Sequence, residues 1–281
     1  MTDFPFADTL LAPADYLGRL GTIFATFDFR TQDSGNASYG VEAVGSRWFV
    51  KTAGDPEDPR PHLTHPERVA LLHNAQRLSE SVAHPALPRL HGTIRSAWGP
   101  ILAYDWVEGE LVRAPPEQRG DPRTAYQRFR HLPVAEITAA LDTIIDVHVQ
   151  LCAKGWIAYD FYDGSLIYDF AAQRIALVDL DLYRLGAFTN ERGRMFGSSR
   201  FMAPEEFEKG ARIDERTNVF TLGRALSNFL GDGTLDRDKF RGTESQYRAM
   251  VTACERDRAR RFESVAELAR TWRAKPKRVR G

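Results

Sequence analysis

Two aspartates stand nineteen residues apart in the stretch Trp156 to Leu182, WIAYDFYDGSLIYDFAAQRIALVDLDL. Asp160 and Asp179 each follow a short apolar, β-prone run, Trp156-Ile157-Ala158 and Ile175-Ala176-Leu177-Val178. Ala171-Ala172-Gln173-Arg174 is available as a turn, so the pattern predicts short strands with both carboxylates at strand ends, on one rim. Side chains there are held by rigid backbone yet reach a ligand. A base that takes a hydroxyl proton and a ligand for a hard cation need such positions. An ordinary hairpin with turn aspartates reads the same way, so the surroundings must decide.

Three further motifs follow in fixed order: GSSRFMAPEEF from Gly197 to Phe207, NVFTLG from Asn218 to Gly223, and DRARRF from Asp257 to Phe262. With these, the chain resembles the eukaryotic-type serine/threonine protein kinases, in a divergent, bacterial style, from roughly Gly35 to Trp272. The resemblance implies an α+β, two-lobed protein-kinase-like fold, with a small β-rich N-lobe over 21–107 and a larger, mainly helical C-lobe over 108–274. Residues 1–20 are read as an extension and 275–281 as a basic tail. ATP and Mg2+ are the implied cofactors, and transfer of the γ-phosphate to a protein serine or threonine hydroxyl is the implied reaction.

By resemblance, Asp160 is the base, Asp179 the metal ligand of a D-F-G written Asp179-Leu180-Asp181, and Lys51 the cation on the α- and β-phosphates. Ser165 stands where the family has the asparagine of the second metal, and Asp181 offers another carboxylate. Asp163 reads either as a compensating charge or as a surface turn residue. Ala158-Tyr159 replaces His-Arg, and Tyr162 replaces a lysine that neutralises the transferring phosphate. A nucleotide-binding pseudokinase scaffold is therefore one alternative, and Asp181 motivates a second, a small-molecule phosphotransferase. Ala203-Pro204-Glu205 matches A-P-E, and Arg261 is expected to meet Glu205 in a buried bidentate pair. That combination favours a protein acceptor.

These residues need a scaffold. GTIFATFDF from Gly21 alternates as a strand does, DSGNASYG from Asp33 is turn-rich, and two more strands surround Gly45-Ser46. Gly35, Ala37 and Gly40 fall at the small-residue positions of G-x-G-x-x-G. Strand, loop and strand argue against a dinucleotide fold, which needs a helix there, and resemble a kinase glycine-rich loop. Lys51 ends RWFVK, and Glu67 fits both an ion pair with it, the preferred reading, and a capping box with Thr64. Around ILAYDWV, the resemblance assigns adenine contacts to backbone near Asp105 and Val107, access control to Tyr104, and ribose contact to Glu110.

Arg113 to Leu132 reads as a loop with one helical turn. A helix over Pro133 to Gly155 then places His148 on an apolar face with Ile137, Leu141 and Ile144, which predicts a core histidine. A central helix, opening at Asn218, is expected to turn Val219, Leu222, Leu226 and Phe229 inward. Two terminal helices follow, the second with a Ser264/Glu267 capping box.

Among 281 residues, 38 basic side chains balance 38 acidic ones, so no global field recruits nucleic acid or an anionic membrane. No apolar run reaches the ~20 residues of a membrane span and no secretion signal opens the chain, so a cytoplasmic location is expected. Cys152 and Cys254 lie in two predicted helices as buried, reduced thiols, without a zinc pattern. The expected partner is a protein substrate, and oligomeric state is left open.

Overall fold

The structure, a computed structural model, describes residues 4–28, 30 and 35–274. The basic tail read at 275–281, and Asp33 and Ser34 of the turn-rich segment, lie outside the described residues. The chain is mixed α+β and divides after Val107 into two compact units.

The first unit contains α1 (Pro13–Leu20), β1 (Thr22–Phe27), β2 (Ala37–Ala43), β3 (Ser46–Thr52), α2 (His65–Ser81), β4 (Leu90–Ser96) and β5 (Gly99–Asp105). The strands form one antiparallel sheet in the order β1-β2-β3-β5-β4. Val44 and Gly45 turn β2 into β3 with φ of 55° and 72°. Two positive φ values match the right-handed twist of the flanking strands, so the turn sits one residue earlier than Gly45-Ser46. Ala37 and Gly40 belong to β2, which shortens the expected loop from its C-terminal side.

On one sheet face Val41, Trp48, Val50, Ile94 and Ile101 bury against Phe4, Tyr16 and Leu17. Residues read as an extension are thus part of this unit's core, because apolar burial contributes about 1.5–3 kcal/mol for each large side chain. Tyr16 Oη fixes the entering chain, donating to Pro5 O and accepting from Ala7 N–H, each at 3.2 Å. On the other face Leu72 and Ala75 of α2 pack with Ala53, Leu102 and Tyr104.

The second unit runs through β6 (Glu110–Leu111), α3 (Ala125–Arg130), α4 (Val134–Ala153), β7 (Trp156–Ile157), β8 (Leu166–Asp169), β9 (Arg174–Leu177), β10 (Arg184–Leu185), β11 (Phe188–Thr189), β12 (Arg212–Ile213), α5 (Glu215–Leu230), α6 (Glu244–Ala253) and α7 (Val265–Trp272). Strands pair as β6-β8-β9, β7-β10 and β11-β12. Helix α5 is buried nearly all round, including Val219, Leu222, Leu226 and Phe229, as a central helix must be. Its N-cap is Asp214, which accepts from Arg216 N–H at 3.1 Å, so Asn218 lies one turn inside the helix rather than at its opening.

The segment Arg113 to Leu132 holds more structure than one turn: a 3₁₀ turn at Pro116–Gln118 and the whole of α3, capped by Thr124. Ser264 caps α7 by accepting from Glu267 N–H at 3.1 Å. Cys152 lies in α4, whereas Cys254 stands one residue beyond α6; both are free thiols, and burial pushes each up to about 12. Among the described residues no helix is long and apolar enough to cross a membrane.

Candidate functional site

Asp160 follows β7 and Asp179 follows β9, each with left-handed backbone, φ 66° and 60°. Among the described residues only two other non-glycine residues have positive φ, and both turn hairpins: Val44 between β2 and β3, Gln173 between β8 and β9. Left-handed backbone costs an ordinary L-residue roughly 1–2 kcal/mol, and aspartate is among the few non-glycine types that adopt it more readily; the surroundings hold both strand-end aspartates there.

Those surroundings are ordered contacts. Asn218 Oδ1 accepts from Ala158 N–H at 3.0 Å, and its amide reaches Cys152 Sγ at 3.3 Å, tying the approach to Asp160 onto α5 and α4. His148 Nδ1 meets Ile144 O at 2.8 Å and Nε2 meets Tyr183 Oη at 2.9 Å. A carbonyl only accepts, so Nδ1 carries the proton and Nε2 accepts from Tyr183. Burial pushes His148 down to about 4, so it stays neutral, and its ring packs edge-on against Phe161 at 4.6 Å. It is the core histidine the helical pattern predicts.

The β8-β9 pairing extends to Val178 N–H, which donates to Ser165 O at 2.9 Å. Ser165 is buried, and its hydroxyl leans toward Asp160 O at 3.4 Å. Ser165 thus links the backbone at Asp160 to the end of β9 that precedes Asp179.

Asp160 Oδ1 is buried without a hydrogen-bond partner. Burial first, and Asp179 second, push the Asp160 carboxyl up to about 7, against the pull of Arg113 and Arg194. Asp179 is exposed and Asp181 half-buried. Gly197 lies directly against Asp160: a Cβ there would stand 3.2 Å from Asp160 Oδ1, and its φ of 124° excludes ordinary side chains. Arg194 holds this loop by donating to Met195 O and Gly197 O, both at 3.1 Å.

Asp163 is not a surface turn residue. It is 1 % exposed, and Oδ2 accepts from Arg200 in a buried ion pair, while Oδ1 and Arg200 Nε lack partners. Arg200 also lies over the rings of Tyr126 and Phe201, so its planar cation is held by packing as well as charge. Tyr162, read as the loss of a cation, has one on its ring: the Arg113 guanidinium, 5.9 Å from the ring centre.

Downstream, Arg261 grips Glu205 with two parallel bonds, Nη1–Oε1 2.7 Å and Nη2–Oε2 2.9 Å, and its side chain is fully buried. Thr217 adds a bond to Oε1 at 2.9 Å. Burial alone would raise the Glu205 carboxyl, but these bonds outweigh it and hold it below the usual range. Glu206 has no such cation. Its Oε2 accepts from Ala203 N–H at 2.6 Å, and burial pushes its carboxyl up to about 8.

In the first unit Lys51 is buried within β3, opposite Ser38 on β2 and Leu102 on β5. Glu67 is exposed and accepts from Thr64 N–H at 2.7 Å and Thr64 Oγ1 at 2.8 Å, forming the capping box. The neighbouring Arg68, which the sequence reading passed over, is 1 % exposed and donates to Gly35 O at 2.7 Å and Asp55 O at 2.9 Å. It pins Gly35 to the strand end after Lys51, and a Cβ on Gly54 would stand 2.4 Å from Gly35 O. An arginine on a helix shows no periodic signal for such a role.

Asp105 meets His91 Nε2 at 2.6 Å, and its backbone N–H donates to Arg89 O at 3.1 Å. That leaves the adenine reading to its carbonyl and to Val107. Glu110, assigned to ribose, forms an ion pair with Arg128. Among the described residues no group of three or more histidine, cysteine, aspartate or glutamate side chains could hold a metal.

The sequence matches no protein-family model, and no curated protein matches it significantly.

Proposed function

We propose that the chain is an ATP-dependent phosphotransferase of the serine/threonine protein kinase type. What carries the reading is Asp160, a carboxyl held in left-handed backbone at a strand end, with a buried, unpartnered oxygen beside the charge of Asp179. Pushed up to about 7, it accepts a proton near neutral pH more readily than an ordinary aspartate. In the reaction the acceptor hydroxyl oxygen forms a bond to the γ-phosphorus, the bond from that phosphorus to the ADP oxygen breaks, and the hydroxyl proton goes to Asp160.

Asp179 and Asp181 are the carboxylates that would hold magnesium in this reading. Bound with ATP, the ion neutralises phosphate charge. Ser165, buried and turned toward Asp160 O, shapes the loop instead. Lys51, with backbone at Gly35, Ala37 and Gly40, is assigned to the phosphates, and the backbone of Asp105 and Val107 to adenine. Glu67 and Glu110, in their cap and ion pair, have no assigned ligand contact here. The buried Glu205–Arg261 pair supports a protein acceptor, because it braces the segment after Gly197 as a platform for an extended chain.

The test is phosphate release and transfer from labelled ATP, with protein and small-molecule acceptors, for the wild type and Asp160→Asn. The expected outcome is protein labelling that rises with pH through about 7 and is lost in the variant. Equal turnover by both proteins would sink the reading. Label appearing only in a small molecule would move it to the small-molecule class. A second reading, a nucleotide-binding scaffold, is favoured by the Ser165 hydroxyl facing inward; it predicts ATP binding without turnover in either protein.

A further inference from the structure

The second unit places four arginines around Asp160 and Asp163, and two of them are committed to hydrogen bonds. Arg194 is spent on Met195 O and Gly197 O, and Arg200 on Asp163. Arg119 is half-buried, its Nε has no hydrogen-bond partner, and its charge acts on Asp163. Arg113 is the exposed one of the two that remain: among the described residues its guanidinium makes no hydrogen bond and no ion pair, and its contact is the Tyr162 ring at 5.9 Å. Its charge acts on Asp160, Tyr162 and Asp163 alike.

The backbone explains why Arg113 stands there. Strand β6 pairs Leu111 with Ile167, and Val112 N–H then donates to Leu166 O at 2.8 Å. This pairing carries the next residue, Arg113, past the Asp163–Ser165 turn that supports Asp160. A guanidinium stacked on an aromatic ring keeps its five N–H donors in a fixed plane, available to a tetrahedral anion. Exposed, Arg113 forfeits no hydrogen bond or ion pair when an anion arrives.

We propose that Arg113 is a catalytic residue that binds the oxygens of the phosphoryl group in transfer, from a resting place on Tyr162. This rests on the phosphotransferase reading above. The group in flight carries negative charge spread over three oxygens, and a preorganised cation beside the base stabilises that charge where it develops. The alternative occupant, an acidic group on the acceptor, would make Arg113 a specificity residue instead.

The experiment compares wild type, Arg113→Ala and Arg113→Lys for kcat and for both KM values, and measures inorganic pyrophosphate binding by calorimetry. The expected result is a fall in kcat on the order of 10²-fold for alanine, an intermediate value for lysine, an unchanged acceptor KM, and pyrophosphate binding weakened at least about tenfold by alanine. An unchanged kcat overturns the proposal, and so does a raised acceptor KM at constant kcat. Should the wild type transfer phosphate to nothing, the phosphotransferase reading fails by itself. Pyrophosphate binding then decides about Arg113 as an anion ligand: loss in the alanine variant supports it, equal binding refutes it.

Discussion

Replacing Glu206 by glutamine should flatten much of the decline in stability of this protein between mildly acidic and mildly alkaline pH. The Glu206 carboxyl is buried beside Glu205, has one backbone donor at 2.6 Å, and is pushed from 4.5 up to about 8. In the unfolded chain the same group ionises near its ordinary value. Between those two pH values the folded protein holds one more proton than the unfolded chain, so unfolding releases it and stability falls as pH rises. The contribution is fully present below about pH 4.5 and is lost by about pH 8.

At 1.36 kcal/mol per unit, a shift of this size corresponds to a loss on the order of 5 kcal/mol. Glutamine keeps an amide oxygen for Ala203 N–H and has nothing to ionise. Urea denaturation at pH 5, 6, 7 and 8 measures the effect. The variant should be close to wild type or slightly weaker at pH 5, more stable at pH 8, and the gap should widen by roughly 1 kcal/mol per unit across the middle of the range. Asp160 shifts in the same direction, so a residual slope remains in the variant. Parallel stability curves for the two proteins would refute the reasoning, because they would mean that Glu206 folds already ionised.

Arg261→Ala leaves the Glu205 carboxylate buried and without its bidentate partner, and should cost about 3–5 kcal/mol in denaturant midpoint experiments. A cost below about 1 kcal/mol would show that Arg258, 3.5 Å from Glu205, takes over. Gly197→Ala forces a side chain into backbone at φ 124° and to 3.2 Å from Asp160 Oδ1; we expect a stability loss of about 1–3 kcal/mol with a larger proportional loss of turnover. Wild-type turnover in that variant would show that the proposed role of Asp160 does not depend on this contact. Asn218→Ala removes the acceptor of Ala158 N–H and should lower stability by about 1–3 kcal/mol, read by the same denaturation assay, while Asn218→Asp should be tolerated.

Period and punctuation made much of the scaffold legible. The run-turn-run pattern around Asp160 and Asp179 placed both at strand ends, and the apolar faces of α4 and α5 identified His148 as a core residue and Val219, Leu222, Leu226 and Phe229 as buried. The Glu205–Arg261 contact was legible only through the order of distant motifs, since 56 residues separate its partners. Several positions were misread for local reasons. The hairpin turn moved to Val44-Gly45, where strand twist demands two positive φ values. Of the two readings of Asp163, the surface turn residue fails, and nothing in its own neighbourhood announces Arg200, 37 residues away. Phe4, Tyr16 and Leu17 looked peripheral because a short apolar pattern cannot say which sheet face will cover it.

The sequence by itself determined which residues could do chemistry and which strands and helices would present them, because side-chain type and hydrophobic period are properties of neighbours along the chain. Tertiary structure alone decided the electrostatic state of those residues: the desolvated Asp160 oxygen, the neutral His148 between two partners, the carboxyl of Glu206, and the uncommitted guanidinium of Arg113 on Tyr162. Burial and charge depend on groups that meet only when distant segments pack, and no spacing along the chain encodes that meeting.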